Sequence, residues 1–212
     1  VQNIPARAAA EASAQSGHDL FGFNGAGGAH LYKKFVMDVA DLVKETEKKY
    51  GKVSVIGKQL GYNADGTWSA FPDFYINFPG MYQKTLWGEI GVTPDTWDNL
   101  RTGGAKLKAK GHPVGISLGH SNDPSTTWRG LLWSYGAAIQ DEHGKKIVLN
   151  SKEAVEAVKY VAALYKEAMT PEVLSWNDTS NNQYIASGVG SYIINPISAY
   201  RTVQKSNKKL AD

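Results

Sequence analysis

Cysteine is absent from the 212 residues, which removes thiol catalysis, thiolate metal sites and disulfides from consideration. A chain without thiols suits an oxidising compartment, although many cytosolic proteins share the trait. No apolar run approaches the ~20 residues that span a bilayer. The opening Val1-Gln2-Asn3-Ile4-Pro5 has no basic or apolar signal region, so a signal peptide is expected to be missing or already removed. An excess of one charge is lacking too: 23 Lys and Arg stand against 20 Asp and Glu, a net +3. The basic residues are scattered rather than clustered, which argues against nucleic acid or an anionic membrane as partner. With 42% hydrophobic and 20% charged residues, the chain is too apolar for disorder, and its length allows one large domain or two small ones.

Aromatic side chains are plentiful, and many stand in polar company. Six Trp and eleven Tyr lie largely in Gly-, Asn- and Asp-rich stretches. Trp and Tyr also fill cores, and Trp97 is read as structural. Flat rings stack on the C–H faces of a pyranose while Asn and Asp take its hydroxyls, so aromatics beside amides and carboxylates in loops point to a sugar site.

The pattern along the chain predicts alternating helices and strands. A helix over 6–16 ends at Gly17, a short buried strand follows at 18–23, and a glycine-rich loop leads to a helix over 31–50 bearing Phe35, Val39, Leu42 and Val43. Residues 53–56 fit a strand or a helix, and Asn63-Ala64-Asp65-Gly66 signals a turn before a strand at 67–71. The aromatic stretch 73–82 reads as a crossover between domains. Thr96 is a plausible N-cap after Pro94, and strands are expected at 114–118, 146–149 and 190–194, with a helix over 127–138. Asn150 and Glu153 form a capping box before a helix carrying Val155, Val158, Val161, Leu164, Tyr165 and Met169 and ending before Pro171. A polar loop at 175–182, a short helix to Gly188 and a helix entered at Pro196 complete the chain. This order predicts an α/β architecture.

The chemical motifs mostly fail. Gly25-Ala26-Gly27-Gly28 lacks the third glycine of a dinucleotide fingerprint, His30 standing there instead. No phosphate loop is present, and no two of the five histidines have zincin spacing. Ser121 has no nucleophile-elbow context. Asp73, Asp123 and Asp178 lie in loops and keep a glycoside hydrolase open, since sequence does not give their separation.

Four segments in order carry a family resemblance. Asp65-Gly66-Thr67-Trp68-Ser69-Ala70-Phe71-Pro72 leads to Tyr82-Gln83-Lys84, then comes Gly91-Val92-Thr93-Pro94-Asp95-Thr96-Trp97-Asp98-Asn99-Leu100. Leu132-Trp133-Ser134-Tyr135-Gly136-Ala137 runs through Asp141 and Gly144 to Asn150-Ser151, and the last segment spans Ser187 to Asn195. Together they resemble the bacterial extracellular solute-binding family of ABC importers, of the sugar-type, maltose-binding-protein-like kind. Asn99, where an acid is usual, Gly103-Gly104 within a helix, and Val189 in place of Lys depart from the pattern.

The resemblance implies a periplasmic-binding-protein-like α/β fold, two α/β lobes joined by a hinge and incomplete at both ends, because family members run longer. Residues 1–77 would be part of lobe I and 78–212 most of lobe II. It implies capture of a sugar or oligosaccharide in an interlobe cleft and presentation to a membrane permease. No catalysis, metal or cofactor is implied. The alternatives are a binder of another polar solute, such as glycerol phosphate or a polyamine, and more distantly the hydrolase. The ligand set it implies is Phe23, Asn24, Asp73, Tyr75, Asn77, His120, Asn122, Asp123, Trp128, Trp176, Asp178, Asn195 and Ser198. The full-length protein is expected to be monomeric, and periplasmic or, in a Gram-positive cell, extracellular and lipid-anchored.

Overall fold

The computed structural model describes residues 4–23, 28–73 and 76–211. The chain divides into two compact units, Val1–Tyr75 and Ile76–Asp212. Among the described residues, no helix is long and apolar enough to cross a membrane.

Unit 1 carries α1 (Ile4–Ala14), α2 (Gly28–Leu31), α3 (Ala40–Tyr50) and α4 (Val55–Gly61). The strand expected at 18–23 does not form. The His18 N–H donates to the Glu11 carboxylate at 2.6 Å rather than to a neighbouring strand, and Leu20 is 89% exposed. The single helix expected over 31–50 is broken. The Asp38 carboxylate accepts from the N–H of Ala40 at 3.0 Å and of Trp68 at 2.9 Å, and this local side-chain acceptor restarts the helix at α3. Of the predicted apolar stripe only Val43 is buried. Residues 53–56 resolve as a helix start, with the Ser54 hydroxyl accepting from the Gly57 N–H at 3.1 Å. The turn at 63–66 forms as expected, with Gly66 at φ 89°. The strand at 67–71 reduces to one antiparallel bridge, Tyr62 opposite Trp68.

Unit 2 begins with β1 (Gly80–Tyr82), followed by α5 (Lys84–Glu89), α6 (Trp97–Ala109), α7 (Asn122–Ser134) and α8 (Lys152–Ala168). A 3-10 turn (Pro171–Leu174) precedes α9 (Ser180–Ala186), β2 (Tyr192–Ile194), α10 (Ile197–Ser206) and α11 (Lys208–Ala211). β1 and β2 pair antiparallel, Gly80 opposite Ile194 and Tyr82 opposite Tyr192. Residues 114–118 lie beside β2 but make only one parallel bridge, because the Val114 and Leu118 N–H groups donate instead to Ala168 and Val173. Residues 146–149 likewise make a single bridge to Gln140, and the Asp141 carboxylate takes the N–H of Lys145 at 2.7 Å.

α6 starts at the expected cap, the Thr96 hydroxyl accepting from the Asn99 N–H at 3.1 Å. It continues through Gly103-Gly104. A methyl at Gly103 would come within 2.5 Å of the Trp87 ring, and one at Gly104 within 2.7 Å of Val114, so the glycines let α6 sit directly on the core. α7 starts at Asn122, ahead of the predicted 127, and ends at Ser134.

α8 is capped by Ser151, whose hydroxyl accepts from the Ala154 N–H at 3.1 Å, and not by Asn150. Its buried face is Ala154, Ala157, Tyr160, Leu164 and Ala168, and Val158 is 63% exposed. Of the expected stripe, Leu164 and Met169 are buried and Val161 and Tyr165 pack partly against the core, whereas Val155 and Val158 face outward and their places are taken by Ala154, Ala157 and Tyr160. The core gathers Trp87, Leu100, Leu107, Val114, Ile116, Leu131 and Leu164. The Trp87 indole N–H donates to Ser191 O at 3.0 Å, satisfying the one polar atom that burial would strand.

Candidate functional site

Polar groups converge in unit 2 where the start of α7, the loop before α9 and the end of β2 approach one another. Ser121, at the N-cap of α7, makes no side-chain cap bond. The cap comes from another loop: Asp178 Oδ1 accepts from the Asp123 N–H at 3.1 Å, a carboxylate at the positive end of the helix. The Asp123 side chain is 8% exposed, and its Oδ2 accepts from Asn181 Nδ2 at 2.8 Å. Burial pushes the Asp123 carboxyl above the usual carboxylate range; the Asn181 bond pulls it down and the charge of Asp178 pushes it up.

Asn181 is 1% exposed. Its Nδ2 also reaches Ile194 O at 3.4 Å, and its Oδ1 accepts from the Asn182 N–H at 2.9 Å. Asn182 Oδ1 accepts from Asn195 Nδ2, and Asn182 Nδ2 donates to Thr202 Oγ1 at 3.3 Å. Carboxylate acceptors and carboxamide donor–acceptors therefore form one continuous belt, a composition suited to hydroxyl-bearing ligands.

The predicted residues fall into several settings. Asp123, Asp178 and Asn195 meet in this belt. His120, Asn122 and Ser198 are exposed on the same segments. Trp128 is half-buried, its indole N–H donating to Ser117 O at 2.9 Å, and Trp176 is buried with its ring 4.9 Å from Tyr184. Asn77 is exposed in unit 2 and Asp73 in unit 1. Phe23, in unit 1, lies in a ladder of rings, 6.2 Å from Phe21 and 5.5 Å from Tyr32. Asn24 and Tyr75 lie outside the described residues, as does Gly25-Ala26-Gly27.

Asn181 and Asn182 escaped the sequence reading. Their signal was the run Asn177-Asp178-Thr179-Ser180-Asn181-Asn182 leading into a helix, since Asn is a poor helix former and persists there when its amide has other partners. Among the described residues no three His, Asp or Glu side chains gather as metal ligands. Unit 1 holds an open depression of about 520 Å³, but Arg7, Glu11 and His18 at its border are already paired with one another.

Residues 5–212 match the bacterial extracellular solute-binding protein family, and the chain belongs to it. A binding protein of Brucella abortus strain 2308 is 30% identical over 121 residues, 54% of this chain and 29% of that protein. Two solved structures share the fold. One is a sugar transporter protein from Arthrobacter chlorophenolicus A6 with bound laminaribiose, at 21% identity and a TM-score of 0.77, covering 97% of this chain and 54% of that one. The other is an ABC transporter solute-binding protein from Agrobacterium radiobacter K84 in complex with ribitol, at 22% identity and a TM-score of 0.69, covering 84% of this chain and 47% of that one. The fold is periplasmic-binding-protein-like, and the chain spans about half the length of these structures.

Proposed function

We propose that the protein is the extracytoplasmic capture subunit of an ATP-driven importer, binding a sugar, oligosaccharide or related polyol and delivering it unchanged to a membrane permease. The observation that carries this reading is the belt of Asp123, Asp178, Asn181 and Asn195, whose acids and amides are of the kind that organise a site for hydroxyl-bearing ligands. Family membership supports a solute-binding role, and relatives of the same fold hold a disaccharide and a polyol. Residues 1–77 and 78–212 are then parts of the two lobes, and the exposed members of the ligand set named from the sequence, His120, Asn122 and Ser198 among them, supply contacts, with Asp123 holding their loops. Capture needs no covalent step, and Asp123 Oδ2 accepts from the Asn181 carboxamide.

Calorimetry of the intact protein with laminaribiose, maltose and ribitol tests the reading. Saturable 1:1 binding with a dissociation constant on the order of 1 μM, and no product after prolonged incubation, is expected. Release of reducing sugar that disappears in Asp123→Asn would replace capture by hydrolysis. Failure of the whole panel to bind would remove the sugar assignment.

A further inference from the structure

We propose that Asn181 and Asn182 are positioning residues that couple the three ligand loops of unit 2 into one mechanical element, an inference that deepens the capture reading and rests on it. α9 lies between these loops; its Asn181 carboxamide reaches both the start of α7 and, more weakly, Ile194 O at the end of β2, and its Asn182 carboxamide reaches Asn195 and α10. Asn181 faces the start of α7, donating to Asp123 Oδ2 at 2.8 Å, and through Asp123 it meets the loop of Asp178. Asn182 faces the end of β2 and α10, bonded to Asn195 and to Thr202. The Asn181 side chain is tied to the backbone of its neighbour, the Asn182 main-chain N–H donating to Asn181 Oδ1 at 2.9 Å.

Every bond in this chain has an assigned direction. The Asp123 backbone N–H donates to Asp178. Asn181 Nδ2 donates to a carboxylate and to a main-chain carbonyl, which fixes its amide orientation and leaves Oδ1 as the acceptor for Asn182. At the buried centre of this chain, formed by Asp123, Asn181 and Asn195, there are few alternative arrangements, because rotating the Asn181 amide strands a donor or acceptor. A ligand hydroxyl that draws on Asp178 or Asn195 therefore acts on the loop at the other end. In this arrangement the carboxylate of Asp123 belongs to the linkage rather than to the ligand.

The decisive variant is the exchange of partners. Asn181→Asp places two carboxyl groups face to face, whereas Asp123→Asn with Asn181→Asp restores one donor and one acceptor at the 123–181 contact in reversed order and gives up only the longer bond to Ile194 O. In the ligand-free intact protein, amide hydrogen exchange at 120–123, 176–179 and 194–198 is expected to rise together by about tenfold in Asn181→Asp. It should return to within about threefold of wild type in the double variant. Should Asn181→Asp fail to fold, Asn182→Ala serves: it should quicken exchange at 194–198 and, through the linkage, at 120–123, and an effect confined to 194–198 would overturn the coupling. Loss confined to 179–183, or no recovery in the double variant, overturns the proposal.

Calorimetry with laminaribiose and ribitol gives the second readout. Affinity should fall about tenfold in Asn181→Asp and recover in the double variant, which a ligand contact by Asp123 itself would not allow. If the wild type binds neither ligand while exchange behaves as expected, the sugar reading fails and the coupling stands.

Discussion

The two units of this chain are stabilised by different means. Unit 2 has a packed core in which Trp87, Leu107 and Leu164 are all but inaccessible, whereas unit 1 leaves Leu20, Leu31, Met37 and Val55 largely exposed and buries few large side chains besides Val43 and Trp68. Unit 1 relies on polar ties. Glu11 holds Arg7 and His18, Asp65 pairs with Lys33, and Asp38 joins α3 to the segment of Trp68. Burial of apolar surface is strong and insensitive to pH, while exposed ion pairs are weak and titrate with their carboxylates. One chain thus offers two responses to the same perturbation.

The largest expected contrast comes from deleting apolar bulk. Trp87→Ala removes an indole at the centre of unit 2 together with its bond to Ser191, and a loss of about 4 kcal/mol is expected. Met37→Ala in unit 1 is expected to cost less than about 0.5 kcal/mol, because the side chain is already in water. Urea unfolding followed by circular dichroism measures both. Equal losses would show that unit 1 has a core as important as that of unit 2.

Titration separates the units next. In unit 1, the Arg7 guanidinium, followed by the His18 N–H, holds the Glu11 carboxyl down at about 2, and Lys33, followed by Thr67, does the same to Asp65. Glu47 is lowered chiefly by the Val53 N–H. A group whose pKa is depressed by folding stabilises above its unfolded value and loses that effect as pH falls towards the folded one. Unit 1 should therefore weaken between ordinary carboxylate values and about pH 2. In unit 2, burial raises the Tyr192 and Tyr184 phenols from 10.0 to about 12. Their contribution is complete below pH 10 and is lost as pH climbs to 12. Asp123 has the same sign, its raised carboxyl favouring the folded state in acid and opposing it as pH rises. Hydrogen exchange against pH, read separately in the two units, should show an acid limb in unit 1 that flattens in Glu11→Gln. An acid limb that persists unchanged in that variant would discard the explanation.

The same division governs what was legible in the sequence. Thr96 as a cap and the end of α8 before Pro171 are local signals whose partners lie within a few residues, and β2 was legible from its apolar run although its partner β1 is remote. The misread strands depend on distant partners. Residues 114–118 are apolar enough for a strand, but their N–H groups are claimed by Ala168 and Val173, which no local pattern reveals. In unit 1 the helix over 31–50 was broken by Asp38, a single polar side chain whose second partner, Trp68, is remote in sequence. For the candidate site the loops were legible from composition, because Asn, Asp and Trp crowd into them. The linkage was not, since Asn181 and Asn182 draw their meaning from Asp123 and Asn195, both far away along the chain.

The smallest effect tests one bond in both settings. Ser151 caps α8 in unit 2 and Ser54 caps α4 in unit 1, each hydroxyl accepting a backbone N–H at 3.1 Å. Replacing either by Ala should cost about 1 kcal/mol locally. The consequence differs because α8 carries Leu164 and Ala168 into the core, whereas α4 buries only two glycines. Ser151→Ala should lower the unfolding midpoint of the whole unit, while Ser54→Ala should quicken hydrogen exchange within α4 and leave that midpoint in place. Asn150→Ala, one residue before the cap, should change stability by less than about 0.5 kcal/mol. A loss at Asn150 matching that at Ser151 would return the start of α8 to the capping box expected from sequence, and a global loss from Ser54→Ala would show that polar ties and core packing are coupled within unit 1.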